Sequence, residues 1–391
     1  MPLQSPKKNG GIENMNLRKI GVVLLALLLA GMAMVPMVSA TAGLTTTASA
    51  GITTGLSDPA NDPVIRAILH NASAQETLSE SIAAKVSRDG VIPASSFDAK
   101  SEEFLNTYIS PAEKVIRTMK EKHYTESQIS ELLKKNGYGW DPKTGASWKG
   151  AAPTPEEQKI IDQIRGPDYS PFGQSSQTKP MSALAWNGRA GGATQSVNNE
   201  NTFVGYNLYM NPGSMTVSST GTFQHVVTTH VGKVTPTGQQ DWTEAGVTNS
   251  MNDPYARYFT YDNDEGGWQF HGAAETGWYK NYAIYVSSTY DSSGYVYNTW
   301  INNNWVRSGH LKARQTGIND ANEIWSLGSN WFSHDSINPA FSNEYLYTSS
   351  GSLPWGDYPN TATHWGTDPY GYVLQGHYMN GGTWKFYSWN V

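Results

Sequence analysis

The sequence predicts a mostly β protein, an antiparallel β-sandwich or jelly roll, preceded by a small α-helical region. Its 391 residues include 12% aromatic residues, 38 glycines, 14 tryptophans and 22 tyrosines, but only 15% charged residues. This composition favours a β-rich exported protein over a helical bundle. From residue 193 onward, short runs such as "TFQHVVTTHVG", "NYAIYVSSTY" and "GTWKFYSWNV" alternate aromatic and β-branched residues with turn residues between them. Strands spaced in this way without helices between them indicate an antiparallel sandwich.

Residues 1–40 have the features of a signal peptide. Arg18 and Lys19 precede an apolar run from Ile20 to about Val38, and small residues end at Ala40. Cleavage there predicts a secreted, extracellular protein with no stable membrane association. The alternative is a retained anchor, because the run approaches the ~20 residues that span a bilayer. Residues 41–57 form a Thr/Ala/Gly-rich spacer. The chain has no cysteine, so disulfides and thiol nucleophiles are excluded.

Residues 58–167 carry helix signals and most of the lysines. Asp62 before Pro63, Ser110 before Pro111, and Thr125 are predicted helix caps. A further helix is predicted within 154–166, and this region is predicted to be a helical pro-region or accessory domain. Residues 168–192 are rich in Pro, Gly, Ser and Gln and are predicted to be an exposed linker. The sandwich is then predicted to occupy residues 193–391.

Two strands place a glutamate and a tryptophan on the same face. In "DWTEAGVT", Glu244 follows Trp242 by two residues, and in "ANEIWSL", Trp325 follows Glu323 by two. A carboxyl group against aromatic walls loses hydration, and two such groups in one site are driven into different protonation states. An acid and a base side by side suit hydrolysis. The alternative for each glutamate is a place on the solvated face of the sheet, beside an exposed tryptophan.

Other function classes have less support. The net charge of −6 argues against a nucleic-acid partner, since phosphate binding needs clustered Lys and Arg. His225 and His230 are five residues apart, so on a strand they face opposite sides and cannot jointly hold zinc. The turn "YDNDEGGW", with Asp262, Asp264 and Glu265, is predicted to close a hairpin, and a calcium loop is the alternative. No metal or other cofactor is predicted.

The stretch "EAGVTNSMNDPYARYFTYDND" resembles the neprosin family at the segment in which a catalytic glutamate begins a Glu-Ala-Gly stretch. The following strand of that family, Asp-x-x-x-Arg-x-Phe-Thr-Tyr, is matched by Asp253, Arg257, Phe259, Thr260 and Tyr261. More distantly, "HVVTTHVGKVTPTGQQDWTEAGV" resembles the strand pair of the fungal glutamic peptidases, whose catalytic glutamine falls where Glu244 stands. The aromatic stretch "SGYVYNTWINNNWVRSGHL" is similar to a hairpin of the family. The resemblance covers about 202–331, and the cysteines of plant members are absent.

The resemblance implies a concanavalin-like β-sandwich that cuts peptide bonds with two glutamates, Glu244 and Glu323. One would activate water while the other stabilises the oxyanion, and the assignment of these roles stays open. The tryptophan-glycine-glycine setting of plant members is missing around Glu323, so Glu275 and Glu344 are alternative second acids. The expected activity is that of an acid-active, metal-independent endopeptidase on peptide or protein substrates, inhibited by the N-terminal helical region. The predicted substrate-binding residues are Trp242, Trp325, Tyr261 and Trp300.

The sequence is also compatible with two other functions. Sandwiches of this type also include glycoside hydrolases with paired carboxylates. The Glu-x-Asp-x-x-Glu run of one such class is absent from the sequence. The second alternative is a glycan-binding, lectin-like module in which the aromatic residues form the binding platform.

Overall fold

The computed structural model describes most of the chain after the predicted spacer. The described residues are 58–78, 85–87, 90–92, 99–164, 188–197, 202–213, 215, 217–218, 223–234, 240–250, 255–327, 333–334, 339–349, 351–354, 360–366, 375–379 and 383–387. All of them belong to one compact unit, Leu56–Val391. The predicted signal peptide and spacer lie outside the described residues. None of the described helices is long and apolar enough to cross a membrane.

The described residues of the N-terminal part include six α-helices. They are α1 (Pro63–His70), α2 (Ala72–Glu76), α3 (Ala99–Thr107), α4 (Pro111–Glu121), α5 (Glu126–Lys135) and α6 (Pro155–Ile164). The predicted caps are confirmed: Asp62 accepts from the backbone N–H groups of Val64 and Ile65, and Ser110 accepts from Glu113. Thr125 forms a capping box with Gln128. These side chains satisfy N–H groups that have no partner within the helix.

The β-strands form two large antiparallel sheets, as the sequence predicts. The seven-stranded sheet has the spatial order β11 (Gln269–Ala273), β10 (Arg257–Asp262), β9 (Gln240–Ser250), β8 (Phe223–Val234), β15 (Gly317–Leu327), β5 (Gly188–Val197) and β19 (Asn360–Gly366). The ten-stranded sheet has the order β20 (Gln375–Met379), β21 (Thr383–Tyr387), β17 (Ala340–Thr348), β6 (Phe203–Asn211), β12 (Lys280–Tyr290), β13 (Tyr295–Ile301), β14 (Asn304–Leu311), β4 (Ser147–Lys149) and β3 (Tyr138–Trp140), with β18 (Gly351–Pro354) beside β17.

Two short two-stranded sheets complete the described strands. They pair β1 (Lys85–Ser87) with β2 (Gly90–Ile92), and β7 (Val217–Ser218) with β16 (Ser333–His334). The fold class is therefore confirmed as mostly β, an antiparallel sandwich preceded by a helical region.

Strand alternation gives the ten-stranded sheet two apolar faces. In β12, Tyr282, Ile284 and Val286 face the seven-stranded sheet and pack against residues such as Val227 and Val247. Ala283 and Tyr285 of the same strand point the other way, into the core of the helical region. Strands of a sheet that is covered on both faces consist of nearly continuous aromatic and aliphatic residues, and β12 and β13 have this pattern.

The helical region is joined to the sandwich by aromatic packing and by strand pairing. Tyr108 meets Trp300 of β13 edge to face, with ring centroids 5.0 Å apart, and Tyr138 lies 6.2 Å from Trp305 of β14. Strands β3 and β4 extend the ten-stranded sheet through the pairing of Trp148 with Arg307. The region predicted as a separate helical unit thus contributes two strands to the sandwich.

After β4 the chain crosses from one sheet to the other. Ala151 exchanges two backbone hydrogen bonds with Phe270 of β11, 3.0 and 2.8 Å long, at the edge of the seven-stranded sheet. Helix α6 follows and packs on the face of that sheet that points away from the ten-stranded sheet, here called the outer face. The next described strand, β5, begins at Gly188 inside the stretch predicted as a linker, because it pairs along its length with β15.

Candidate active site

Glu244 lies in the middle of β9 on the outer face. Its neighbour across β8 is His230 and its neighbour across β10 is Tyr261. Ala245 and Val247 point into the inter-sheet core, so the predicted alternation along this strand is confirmed. The Glu244 side chain is 0% exposed.

Glu323 lies in β15, on the other side of β8, where it pairs with Val226. By the two-residue period of the strand, it shares the outer face with Asn319, the partner of His230. It is also 0% exposed. The two glutamates predicted from sequence therefore lie on strands that flank β8, on one face of one sheet.

The imidazole of His230 lies between the two carboxyl groups. Its Nε2 is 3.1 Å from Glu244 Oε2 and 4.0 Å from Glu323 Oε1. Because both distances end on the same atom, these two carboxyl oxygens lie within about 7 Å of each other. His230 is fully buried, and its Nδ1 lies 3.1 Å from the backbone oxygen of Asn319.

Thr228 is a further polar neighbour of Glu244. Its Oγ1 is 3.1 Å from Glu244 Oε2 and 3.0 Å from the backbone oxygen of Ala245. A hydroxyl has one proton, so Thr228 can donate to only one of these oxygens at a time. Glu244 Oε2 is thus in contact with both a hydroxyl and an imidazole in a site without solvent exposure.

Two of the four predicted substrate-binding residues lie near Glu244 in the sheet: Trp242 on the same strand, and Tyr261 as its partner on β10. Trp242 is 5% exposed, and its ring centroid is 5.8 Å from that of the partly exposed Tyr261. Trp268 lies 5.5 Å from Tyr261 and stacks on Phe259 at 4.3 Å. The glutamate therefore has apolar neighbours on the β10 side of the sheet.

The other two predicted binding residues do not join this group. Trp325 is placed in β15 opposite Gln224, and its side chain lies outside the described residues. Trp300 belongs to the ten-stranded sheet, where it is fully buried against Tyr108 of the helical region. The strand that carries Trp300 was predicted correctly, but its outward side is covered by this chain's own helices.

Helix α6 covers part of the outer face. Ile161, 7% exposed, packs in a cluster with Val226, Phe259, Trp268 and Phe270. Val226 is the register partner of Glu323, so the helix lies close to the second glutamate. The helix contacts both β8 and β15.

An ion pair also ties α6 to the sheet. Arg257 Nη2 lies 3.0 Å from Glu157 Oε1, and the same guanidinium lies 3.7 Å from the ring centre of Phe270. Burial raises the pKa of Glu157, but hydrogen bonds from Thr154 and the charge of Arg257 outweigh it and hold that pKa below its ordinary value.

The alternative second acids lie elsewhere. Glu275 is exposed and forms an ion pair of 2.6 Å with Lys280. Glu344 lies in β17, beside Asp320 of β15 in the inter-sheet core, where both side chains are buried. Burial raises the pKa of Asp320 to about 8 and that of Glu344 well above its ordinary value, and the Asp320 charge raises the latter further.

The turn with three acidic residues closes a hairpin, as predicted. Asp262 Oδ1 accepts from the backbone N–H groups of Asp264 and Glu265, at 2.9 and 2.7 Å, and β10 pairs with β11 across it. Among the described residues, no group of three His, Asp or Glu side chains is placed to hold a metal ion. Asp253, part of the resemblance to the neprosin family, lies outside the described residues.

His230 is a site residue that the sequence suggested only as a candidate zinc ligand, together with His225. Its position opposite Glu244 depends on the register between β8 and β9, which the sequence does not fix. The signal in the sequence was that His230 lies an even number of residues from Val226 and Thr228, which places the three side chains on one face of the strand.

No family model matches the chain, and no curated protein matches it. Among solved structures, it is similar to scytalido-glutamic peptidase with a transition state analog inhibitor, with a TM-score of 0.33 and 11% identity over 52% of this chain and 98% of that one. It is also similar to a Bacillus licheniformis β-glucanase, with a TM-score of 0.23 and 15% identity over 39% of this chain and 66% of that one.

A third similar structure is a κ-carrageenase from Pseudoalteromonas carrageenovora, with a TM-score of 0.22 and 8% identity over 50% of this chain and 67% of that one. All three similar proteins are hydrolases.

Proposed function

We propose that this protein is a secreted, acid-active, metal-independent endopeptidase that hydrolyses peptide bonds with Glu244 and Glu323. The observation that carries the proposal is the convergence of these two glutamates, from separate strands, on one buried imidazole. Two neighbouring carboxyl groups, one protonated and one ionised, would supply the acid and the base that hydrolysis needs.

This arrangement supplies the two groups that peptide hydrolysis requires. The ionised glutamate takes a proton from a water molecule as that water attacks the scissile carbonyl carbon. The protonated glutamate donates a hydrogen bond to the developing oxyanion and then a proton to the leaving amine. Both functions need one shared proton, so activity falls once the second carboxyl group ionises.

A polypeptide substrate is favoured because a polypeptide already lies on this face. Helix α6 places Ile161 against Val226, next to Glu323, and binds Arg257 through Glu157. A surface that takes an apolar side chain and a carboxylate from the chain's own helix offers the same contacts to a substrate peptide. No nucleic-acid partner is proposed, and no stable membrane association after signal cleavage.

We propose that the N-terminal region inhibits the site in the described form. Glu244, Glu323 and His230 are all 0% exposed, so neither water nor a peptide reaches them without a change of structure. Because α6 lies on the same face, we propose that its displacement opens the site. Removal of the whole helical region is not required for this, and it would uncover Trp300 and Trp305.

The experiment that tests the activity is hydrolysis of a denatured protein mixture from pH 3 to pH 7 with a chelator present. Glu244→Gln and Glu323→Gln are each expected to lower turnover by at least about 10³-fold, because each removes an acid–base group. Glu275→Gln is the matched control, since Glu275 is an exposed glutamate away from the site. Loss of activity in Glu275→Gln, or retention in Glu244→Gln, would overturn the assignment.

Inhibition by α6 is tested with Ile161→Asp, which puts a charge into the apolar contact of the helix. Turnover at pH 5 is expected to rise relative to the unmodified chain. Lys159→Asp introduces the same residue at an exposed position of the same helix and is expected to have a much smaller effect. Equal turnover in both variants and the unmodified chain would show that α6 does not control access.

Glycoside hydrolysis is the second candidate. The oxygens of Glu244 and Glu323 lie within about 7 Å of each other, a separation compatible with the carboxyl pairs of glycosidases, and Trp242 and Tyr261 border the site. Assay of the same variants on an array of glycans separates the two functions. Turnover of a glycan that both Glu→Gln substitutions abolish, without peptide hydrolysis, would replace the peptidase proposal. Binding of a glycan without turnover would favour a lectin-like module.

A further inference from the structure

The contacts of His230 fix where its first proton lies. Nδ1 is 3.1 Å from the backbone oxygen of Asn319, and a carbonyl oxygen can only accept a hydrogen bond. Nδ1 therefore carries a hydrogen, an assignment made from its hydrogen-bond partner. The opposite nitrogen, Nε2, is the one that faces the two glutamates.

The contact between His230 Nε2 and Glu244 Oε2 needs one further proton. At 3.1 Å in a buried site, two lone pairs would repel each other, and two hydrogens would collide. The pair is thus either a protonated carboxyl group that donates to a neutral imidazole, or a carboxylate that accepts from an imidazolium. The Glu323 oxygen, 4.0 Å from the same Nε2, favours a positive charge on the ring whenever Glu323 is ionised.

The charge of the whole site depends on this proton. A peptidase of this kind needs one ionised and one protonated glutamate, which alone would leave one negative charge buried without compensation. With His230 as an imidazolium, ionised Glu244 and protonated Glu323 form a neutral group. Thr228, 3.1 Å from Glu244 Oε2, can donate a second hydrogen bond to the same carboxylate oxygen.

We propose that His230 is a positioning residue of the paired-glutamate site: its imidazolium, held by the Asn319 carbonyl, orients Glu244 and keeps it ionised. Glu244 is then the general base and Glu323 the acid, an assignment that rests on the proposed function. Among the described side chains, the titratable groups that face this ring are Glu244 from β9 and Glu323 from β15. The same outer face carries Arg257 and Tyr261 from β10, and α6, packed on it, adds Glu156, Glu157, Lys159 and Asp162.

The kinetic test compares His230→Gln with the unmodified chain on a peptide substrate from pH 3 to pH 7. Glutamine can still donate a hydrogen bond to Glu244 but carries no charge. We expect kcat to fall by about 10- to 100-fold with little change in KM, and the acid limb of the kcat profile to move up by about one pH unit or more. His70→Gln, in the exposed last turn of α1, is the matched control and should leave the profile unchanged.

A second measurement does not depend on activity. In the protein labelled with ¹⁵N at its histidines, the ring signals of His230 are the ones lost in His230→Gln and shifted in Glu244→Gln. We expect both ring nitrogens to be protonated at pH 5, and the ring to become neutral in Glu244→Gln at the same pH.

The two measurements separate the possible failures. If neither the unmodified chain nor Ile161→Asp cleaves any peptide, the proposed function fails and the ring signals still decide the charge of His230. If the chain is active but His230→Gln keeps the wild-type pH profile, the inference fails alone. A ring that is neutral at pH 5, or protonated only on Nε2, also overturns it. If His230→Gln does not fold, the Glu244→Gln comparison identifies the signal and decides the outcome.

Discussion

The carboxyl pair in the inter-sheet core predicts a protein that gains stability as the pH falls. Asp320 and Glu344 come from opposite sheets and are 1% and 4% exposed. Burial raises the pKa of Asp320 from its ordinary value near 3.8 to about 8. A carboxyl group whose pKa is higher in the folded state binds more protons there than in the unfolded state. Its contribution to stability is complete below the unfolded pKa and is lost as the pH rises toward 8.

The size of this effect follows from the linkage relation. Between the two pKa values, one such group changes the free energy of unfolding by about 1.4 kcal/mol per pH unit. From pH 5 to pH 7, Asp320 alone therefore lowers the free energy of unfolding by about 3 kcal/mol. Glu344 acts in the same direction, because its pKa is raised as well. The change exceeds that of most single substitutions.

The assay is urea unfolding at half-unit steps from pH 5 to pH 7, with the free energy extrapolated to water. The variant Asp320→Asn with Glu344→Gln is expected to lose at least about 1.4 kcal/mol per pH unit of the wild-type slope. Glu131→Gln, on the exposed side of α5, controls for removal of a carboxyl group at the surface. A double variant with the wild-type slope, or a wild type that is more stable at pH 7 than at pH 5, would refute the reasoning.

Three further predictions concern the helical region and the sheet beneath it. Glu157→Gln removes a partly exposed ion pair with Arg257, so turnover at pH 5 should rise by less than about 5-fold. A larger rise would mean that the pair alone keeps the site closed. Trp300→Ala should lower the free energy of unfolding, measured by urea unfolding, by about 3–5 kcal/mol. A loss under about 1 kcal/mol would contradict the packing of Trp300 on Tyr108. Asn302 has a φ of +50° in the turn between β13 and β14. Asn302→Ala should therefore lower the free energy of unfolding by about 1 kcal/mol, and Asn302→Gly should not. Thermal unfolding measures both changes.

The stability contributed by the ion pair of Glu157 and Arg257 changes with pH in the opposite direction to that contributed by the core pair of Asp320 and Glu344. The pKa of Glu157 is lowered, so its contribution is present above the unfolded pKa and is lost as the pH falls through the lower, folded value. Acid therefore weakens the attachment of α6 while it strengthens the sandwich. After correction for the intrinsic exchange rate at each pH, amide hydrogen exchange in α6 should become faster between pH 5 and pH 3. Exchange in β12 should become slower over the same range. Parallel changes in both elements would contradict this separation.

The sequence predicted those features that depend on local patterns. The caps at Asp62, Ser110 and Thr125 involve side chains within a few residues of the groups they bind, and the alternation of Trp242 and Glu244 follows from the strand period alone. These relations need no knowledge of how distant segments meet.

The features that depend on distant segments could not be predicted in the same way. The contact between His230 and Glu323 crosses 93 positions of the chain and depends on the pairing of β8 with β15. Trp300 was assigned to substrate binding because its strand is aromatic. The sequence could not show that its side of the sheet is covered by Tyr108.

The attachment of β3 and β4 to β14 has a consequence for processing. A protease that cut the chain between α6 and β5 would leave the N-terminal fragment paired with Arg307 and packed around Trp305. The product would be a nicked, two-chain molecule whose fragments co-elute in size-exclusion chromatography and separate only in denaturant. Maturation by such a cut would keep the N-terminal fragment bound as a subunit and would not remove it from the molecule.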